Sequence, residues 1–268
     1  MYKKDKMAQR RGKNMTYKIA FFDIDGTILP PNHIIQQSTK DAIKQLQEKG
    51  IEVVIATGRT IVDTLDVAKQ LNVDSFLTFN GAYGIRKGKE LFTTSFPRPL
   101  VEKVLQEGQK EQFDVLVLTK EGTSTSTYEA ERVRHFSKRL HMDIFELSEK
   151  HKEETLGMTI LLDRNYQNNH EELSLVKCNI DIDFSYDLLL KEVNKGTAVE
   201  RYLKEIGVDK SEAFAIGDGM NDKEMLAYVG MGVAMGNASK DLHPYANYIT
   251  TSVEEDGIFN ALKKAEMI

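Results

Sequence analysis

The chain has 268 residues, 41% hydrophobic and 29% charged, enough for one large domain or two modest ones with a real core. Its formal net charge is −5, but residues 1–14 hold six basic residues and one acid, which leaves −10 on residues 15–268. A body that acidic argues against a nucleic-acid groove, and no apolar run approaches the ~20 residues of a membrane span. The basic segment 1–14 has no apolar stretch behind its charges, so it reads as a disordered leader rather than a secretory signal, with patterned sequence beginning at Met15-Thr16-Tyr17. The single cysteine, Cys178, excludes an intramolecular disulfide and fits a reducing compartment, so a cytoplasmic location is expected.

From Tyr17 the pattern alternates strand and helix. KIAFFDID reads as a strand buried on both faces and tipped by acids. A helix follows with Ser38 as N-cap, Ile43 and Leu46 on one face, and Gly50 as its stop. IEVVIATGR is the next strand, and IVDTLDVAKQL a helix burying Ile61, Leu65, Ala68 and Leu71. SFLTFNGA is a third strand, ending at Asn80-Gly81. Residues 86–188 have their own strand–helix economy: FDVLVLT and MTILLD read as strands, EAERVRHFSKRL and NNHEELSLVKC as helices, and GTSTSTY as an exposed edge strand or loop. The first pattern then resumes with a helix over 197–206, the strand AFAIGDG, the helix NDKEMLAYV, the strand GVAMG and the helix DGIFNALKKA. The expected architecture is an α/β protein with a Rossmann-like parallel-sheet core, residues 15–85 plus 189–268, and a smaller α/β cap, 86–188, inserted into it.

Four polar clusters sit at or beside strand ends: Asp23/Asp25, Thr57-Gly58-Arg59, Lys195-Gly196, and Asp218-Gly219-Met220-Asn221-Asp222. Taken singly, each has a bland reading as a turn, a strand exit or a surface lysine. In open parallel sheets, however, the carboxyl ends of the strands form one crevice, where such clusters converge. Like charges at ~4 Å cost about 4 kcal/mol per pair at an effective dielectric near 20, so converging aspartates must take up protons or bind cations. Oxygen ligands without a neighbouring His or Cys favour Mg²⁺ over zinc. A metal, a lysine and a threonine make a phosphate site. There Asp23 attacks phosphorus and Asp25 serves as acid and base. Thr57 and Lys195 hold the phosphoryl group, Asp218 ligates the metal, and Asp222 completes or orients its shell.

With these residues in order, the sequence resembles the haloacid dehalogenase superfamily: DIDGT at 23–27, TGR at 57–59, the NKG lysine at 195 and GDGMND at 217–222 match its four motifs. FNGAYG at 79–84, VGMGVAMGNAS at 229–239 and EEDGI at 254–258 are similar to its Cof-like sugar-phosphatase branch, which carries a type IIB cap. The resemblance implies Mg²⁺-dependent hydrolysis of a small phosphorylated metabolite, such as a sugar phosphate, through a phospho-Asp23 intermediate. It also implies that the main-chain carbonyl of Asp25 binds the metal and that the cap closes over the site. Gly58, Arg59, Asn80, Gly81 and Asn221 would join Thr57 and Lys195 in binding substrate. A phosphomutase would use the same core motifs, and a phospho-aspartate signalling protein or a phosphosugar sensor are the rivals from other classes. A monomer or a homodimer fits equally well. The Gly230-x-Gly232-x-x-x-Gly236 run has the wrong spacing for a dinucleotide loop, and Arg132 and Arg134 read as a surface helix face.

Overall fold

Alternation along the first strand explains its burial on both sides. In β1 (Ile19–Phe22), Ala20 and Phe22 enter one apolar core while Ile19 and Phe21 enter another. Full burial of one such Phe contributes roughly 1.5–3 kcal/mol. The computed structural model describes residues 17–127, 130–163, 165–177 and 184–268; the leader, Met15 and Cys178 lie outside the described residues.

The chain continues through α1 (Gln37–Glu48), β2 (Glu52–Ala56), α2 (Leu65–Leu71), β3 (Phe76–Thr78), β4 (Tyr83–Arg86) and β5 (Lys89–Thr93). It then forms α3 (Arg98–Glu111), β6 (Asp114–Thr119), β7 (Gly122–Thr125), α4 (Glu131–Leu140), β8 (Ile144–Glu146), α5 (Glu149–Glu153), β9 (Gly157–Leu162), β10 (Leu173–Lys177) and β11 (Phe184–Leu190). The last stretch is α6 (Lys195–Ile206), β12 (Ala213–Gly217), α7 (Lys223–Tyr228), β13 (Met231–Ala234), β14 (Tyr248–Ile249) and α8 (Gly257–Lys264).

Among the described residues the strands form two sheets. The larger runs β14-β13-β12-β1-β2-β3-β4-β5, parallel from β14 to β3 and antiparallel beyond. Helices α1, α2 and α8 cover one face, and α6 and α7 cover the other. The strand order reverses at β1, which lies between β12 and β2, and such a switch point opens a crevice at the carboxyl ends. The smaller sheet runs β10-β11-β9-β6-β7-β8 and is antiparallel except for β7–β8. It has its own core, built with α3 and α4. No helix among the described residues is long and apolar enough to cross a membrane.

Several local expectations are corrected. Ser38 lies inside α1, whose N-cap is Gln36, and its hydroxyl donates instead to Asp256 at 2.5 Å. Leu65 is 51% exposed, because a single 3₁₀ turn at Val62–Thr64 resets the helix phase and Val67 takes its place in the core. NNHEELSLVKC gives a strand, Leu173–Lys177, rather than a helix: Leu173 and Val176 are spaced for a helix face, but pairing with β11 selects the period of two on which Leu173 and Leu175 share a side. The first four residues of GTSTSTY, Gly122–Thr125, are neither exposed nor an edge, since they form β7, buried between β6 and β8, while Ser126 and Thr127 beyond them are exposed and Tyr128 lies outside the described residues. Two of β7's three buried hydroxyls bond backbone, Ser124 to the Val117 carbonyl and Thr125 to that of Val115, while that of Thr123 has no hydrogen-bond partner. The expected junctions at 85/86 and 188/189 each cut a strand, β4 and β11. The hairpin β4–β5 stays in the larger sheet, and β11 carries the smaller one on to Leu190.

Candidate active site

Asp23 follows β1 directly, Thr57 follows β2, Asp218 follows β12, and Lys195 opens α6, so four chain segments meet at one end of the larger sheet. Lys195 is held there by a helix start that its neighbours cap: the Asn194 side chain accepts from the Thr197 amide, and the Thr197 hydroxyl accepts from the Asn194 amide. Gly26 has φ +80°, and a Cβ there would stand 2.2 Å from Asp218 Oδ2, so only glycine lets the two acid loops approach this closely.

The Lys195 ammonium is fully buried and donates to Asp23 Oδ1 at 2.5 Å and to Asp222 Oδ1 at 2.6 Å. The other Asp222 oxygen accepts the backbone N–H groups of Asp218 (3.0 Å) and Gly219 (2.9 Å), which folds the 218–222 loop around it. Asp218 accepts from the Thr27 hydroxyl at 3.1 Å and from Asn237 Nδ2 at 3.4 Å. Asn237 also donates to the Gly26 carbonyl and accepts from the Val253 amide, tying three loops together.

Carboxylate oxygens of Asp23, Asp218 and Asp222 lie within 4.8 Å of one another, and all three residues are buried. One lysine cannot neutralise three carboxylates. Burial, followed by the neighbouring charge of Asp222, pushes the Asp218 carboxyl up to about 7. Burial also raises Asp23 well above the usual carboxylate range, although Lys195 pulls the other way. Burial works against the Lys195 charge, but Asp222 and Asp23 outweigh it and hold the amine protonated above its ordinary range. A buried, oxygen-only set with surplus negative charge can hold a hard divalent cation.

Asp25 differs from these acids. Its side chain is 46% exposed and sits in the fork of Arg59, with Nε to Oδ2 at 2.9 Å and Nη2 to Oδ1 at 2.6 Å. Burial opposes the Arg59 charge, but its hydrogen bonds to Asp25 raise the guanidinium further. The Arg59 amide in turn donates to the Thr57 hydroxyl at 3.1 Å.

Above these groups lies a cavity between the two sheets. Asp23, Asp25, Thr57, Gly58, Arg59, Asp218 and Asn221 line its floor. Lys195 and Asp222 sit beneath it. Asn80, with φ 53°, flanks it and joins floor to roof: its Nδ2 donates to Asp187 Oδ2 and its Oδ1 accepts from Asn221, both at 2.9 Å. Gly81 stays away from the lining and packs against Ala198 and the Asn194 carbonyl. Thr27, Asn237, Thr159 and Asp187 are members that sequence reading did not single out, although Thr27 and Asn237 fall inside quoted motifs.

The sequence profile of the haloacid dehalogenase-like hydrolases matches residues 20–262. An HMP-PP phosphatase of Serratia proteamaculans (strain 568) is 34% identical over 244 residues, 84% of this chain and 86% of that protein. Among solved structures, the phosphatase BT1666 of Bacteroides thetaiotaomicron superposes with a TM-score of 0.82 at 25% identity, covering 96% of this chain and 98% of that one. The HAD subclass IIB sugar phosphatase BT4131 gives a TM-score of 0.81 at 27% identity, covering 94% and 100%. A profile match that begins inside β1 and ends within α8 spans both sheets and all four acid, threonine and lysine clusters, so the chain belongs to the haloacid dehalogenase-like hydrolases.

Proposed function

We propose that this hydrolase is a Mg²⁺-dependent phosphatase that releases phosphate from small phosphorylated metabolites through a phospho-Asp23 intermediate. The carrying observation is the fully buried Lys195 between Asp23 and Asp222, with Asp218 beside them, under a cavity closed by a second sheet. An Asp23 oxygen attacks phosphorus; the new O–P bond forms as the bond to the leaving alcohol breaks, and Asp25 gives that alcohol its proton. Asp25 then takes a proton from a water that attacks phosphorus, the Asp23–phosphorus bond breaks, and inorganic phosphate leaves. Lys195 and Thr57 hold the phosphoryl oxygens. Arg59 releases Asp25 for this work and turns its planar donors to the phosphate. Asn80 and Asn221 stand near the leaving group. Asp23, Asp218 and the Asp25 carbonyl would hold Mg²⁺, with Asp222 orienting the set. When bound, the ion acts as a Lewis acid on the phosphoryl oxygens.

Phosphate release from a panel of phosphomonoesters, with Mg²⁺ and with EDTA, on wild type and Asp23→Asn tests the reading. Release that needs both the metal and Asp23 supports it; release that survives the loss of Asp23 overturns it. A phosphomutase would need a second cationic phosphate site in the roof. Arg132 is paired with Asp114 at 2.7 Å, and the cation that α4 brings nearest is Arg139, in the adjoining hollow over Asp25 and Asp218.

A further inference from the structure

Three successive residues, Phe79, Asn80 and Gly81, have positive φ, at 54°, 53° and 101°. Glycine and asparagine enter that region readily, but a bulky phenylalanine does not, and such strain persists only where the surroundings enforce it. This turn is held from two sides. Toward the floor, the Phe79 amide donates to the Arg59 carbonyl and the Asn80 amide to the Thr57 carbonyl, both at 3.0 Å. A Cβ on Gly58 would come within 3.0 Å of Asn80 Nδ2, and one on Gly81 within 2.7 Å of the carbonyl of Asn194, the residue before Lys195. Toward the roof, the Phe79 side chain is buried in the apolar core of the smaller sheet, although its backbone follows β3 of the larger one. A Cβ on Gly157 of β9 would touch that of Phe79 at 4.0 Å. Asn80 itself meets Asp187, which stands in an ordered wall. Val176 pairs with Asp187, Asp187 with Thr159, and Thr159 with Leu116, so these four form one cross-strand row on the cavity face of the smaller sheet.

Building on the phosphatase reading, we propose that Phe79 is a positioning residue: the seated smaller sheet fixes its ring, and its backbone passes that position to the Thr57-Gly58-Arg59 loop, so that Asp25 is set for proton transfer only under a closed roof. Close-packed interiors transmit displacement, and a side chain rooted in one core with its ring in another is placed to do so. In this structure Arg59 occupies both Asp25 oxygens, so the acid is released only by a movement of Arg59. The step most sensitive to that loop is therefore protonation of the leaving oxygen. An alkyl ester depends on it, whereas an aryl ester whose leaving oxygen is already stabilised depends on it little.

Two esters and one exchange measurement test the coupling. Wild type, Phe79→Ala and Phe79→Leu are assayed with Mg²⁺ on glycerol 1-phosphate and on 4-nitrophenyl phosphate, whose phenolate leaves without a proton. Phe79→Ala should lower kcat/KM by about tenfold or more on the alkyl ester and by about twofold on the aryl ester, and Phe79→Leu should restore most of the loss. Equal losses on the two esters, or none on either, leave Phe79 a packing residue and overturn the proposal. Hydrogen exchange of the metal-free protein, read by mass spectrometry, needs no turnover. In Phe79→Ala, residues 57–64 and 79–82 should exchange faster while β12 keeps its protection. If Phe79→Ala loses protection in β12 as well, Phe79→Gly, which removes the ring and the backbone strain together, carries the same comparison. Unchanged protection at 57–64 overturns the proposal, whether or not phosphate is released. Faster exchange there, with no phosphate released from either ester by the wild type, upholds the coupling and overturns the phosphatase reading instead.

Discussion

Asp23, Asp218, Asp222 and Lys195 come together at and beneath the floor of the cavity, whereas the roof presents Leu116, Leu118, Phe136, Leu140, Met142 and Val176 around one hydrogen-bonded polar pair, Thr159 and Asp187. In the floor, position is enforced by charge: both Asp222 oxygens and both faces of the acid loops are fixed by hydrogen bonds to lysine, backbone or amide. In the roof, position is enforced by strand register and packing, with a single buried hydroxyl left unmet. On the proposed function, the contrast teaches that reaction and selection are carried by different physics in one cavity. Electrostatic preorganisation tolerates almost no change of residue, while an apolar wall tolerates many changes and answers each with a new shape.

The comparison breaks most visibly at Asp23. Asp23→Asn should reduce phosphate release by about 10⁵-fold and remove any acid-trapped phosphoenzyme. Residual turnover near wild type would place the reaction elsewhere. Lys195→Met should come next: it leaves buried carboxylates without their cation and should cost about 3–5 kcal/mol in denaturant unfolding with EDTA present. An unchanged midpoint would show that the floor does not depend on charge balance.

A third test uses pH. Because burial raises the folded-state carboxyls of Asp218 and Asp23, their protonated forms favour the fold. That stability is fully present below the ordinary carboxylate range and is lost as pH rises through about 7 for Asp218. Metal-free protein should therefore melt lower at about pH 8 than at about pH 5.5. Mg²⁺ at about a hundred times its Kd should return about 2.7 kcal/mol at the higher pH. A melt that rises with pH in EDTA would contradict the burial of these acids. The smallest effect belongs to the join between the walls. Asn80→Ala should cost about 1 kcal/mol and appear as a severalfold rise in KM with kcat nearly kept, read by steady-state kinetics.

The floor was legible in the sequence because its residues occupy strand ends and helix starts, where an acid or a lysine after an apolar run is locally anomalous. Asp23, Thr57, Lys195 and Asp218 each broke a pattern that the preceding strand or following helix had established. The roof broke none. Leu116 and Thr159 look like ordinary strand residues, and only the pairing of β6, β9, β10 and β11 shows that they share a face with Val176 and Asp187. The same dependence on partners explains β10, where the helix spacing of Leu173 and Val176 competes with the strand spacing of Leu173 and Leu175 until β11 chooses, and β7, whose threonines are buried because two neighbouring strands flank them. Arg59 marks a different limit. The sequence placed it beside the phosphate, but the fork it makes with Asp25 is a matter of side-chain geometry that no spacing specifies.

The cross-strand row has a consequence for how such a protein can diversify. Each of β10, β11, β9 and β6 supplies one residue to it, while the alternate positions Val115 and Val117 of β6 point to the side where α3 packs, Val115 meeting Gly108 there. A codon change at Leu116 or Val176 thus redraws the cavity wall, on the side of the sheet away from the α3 contacts of Val115. Substitutions along this row would therefore reshape the cavity one strand at a time while the acids and the lysine of the floor stay where they are.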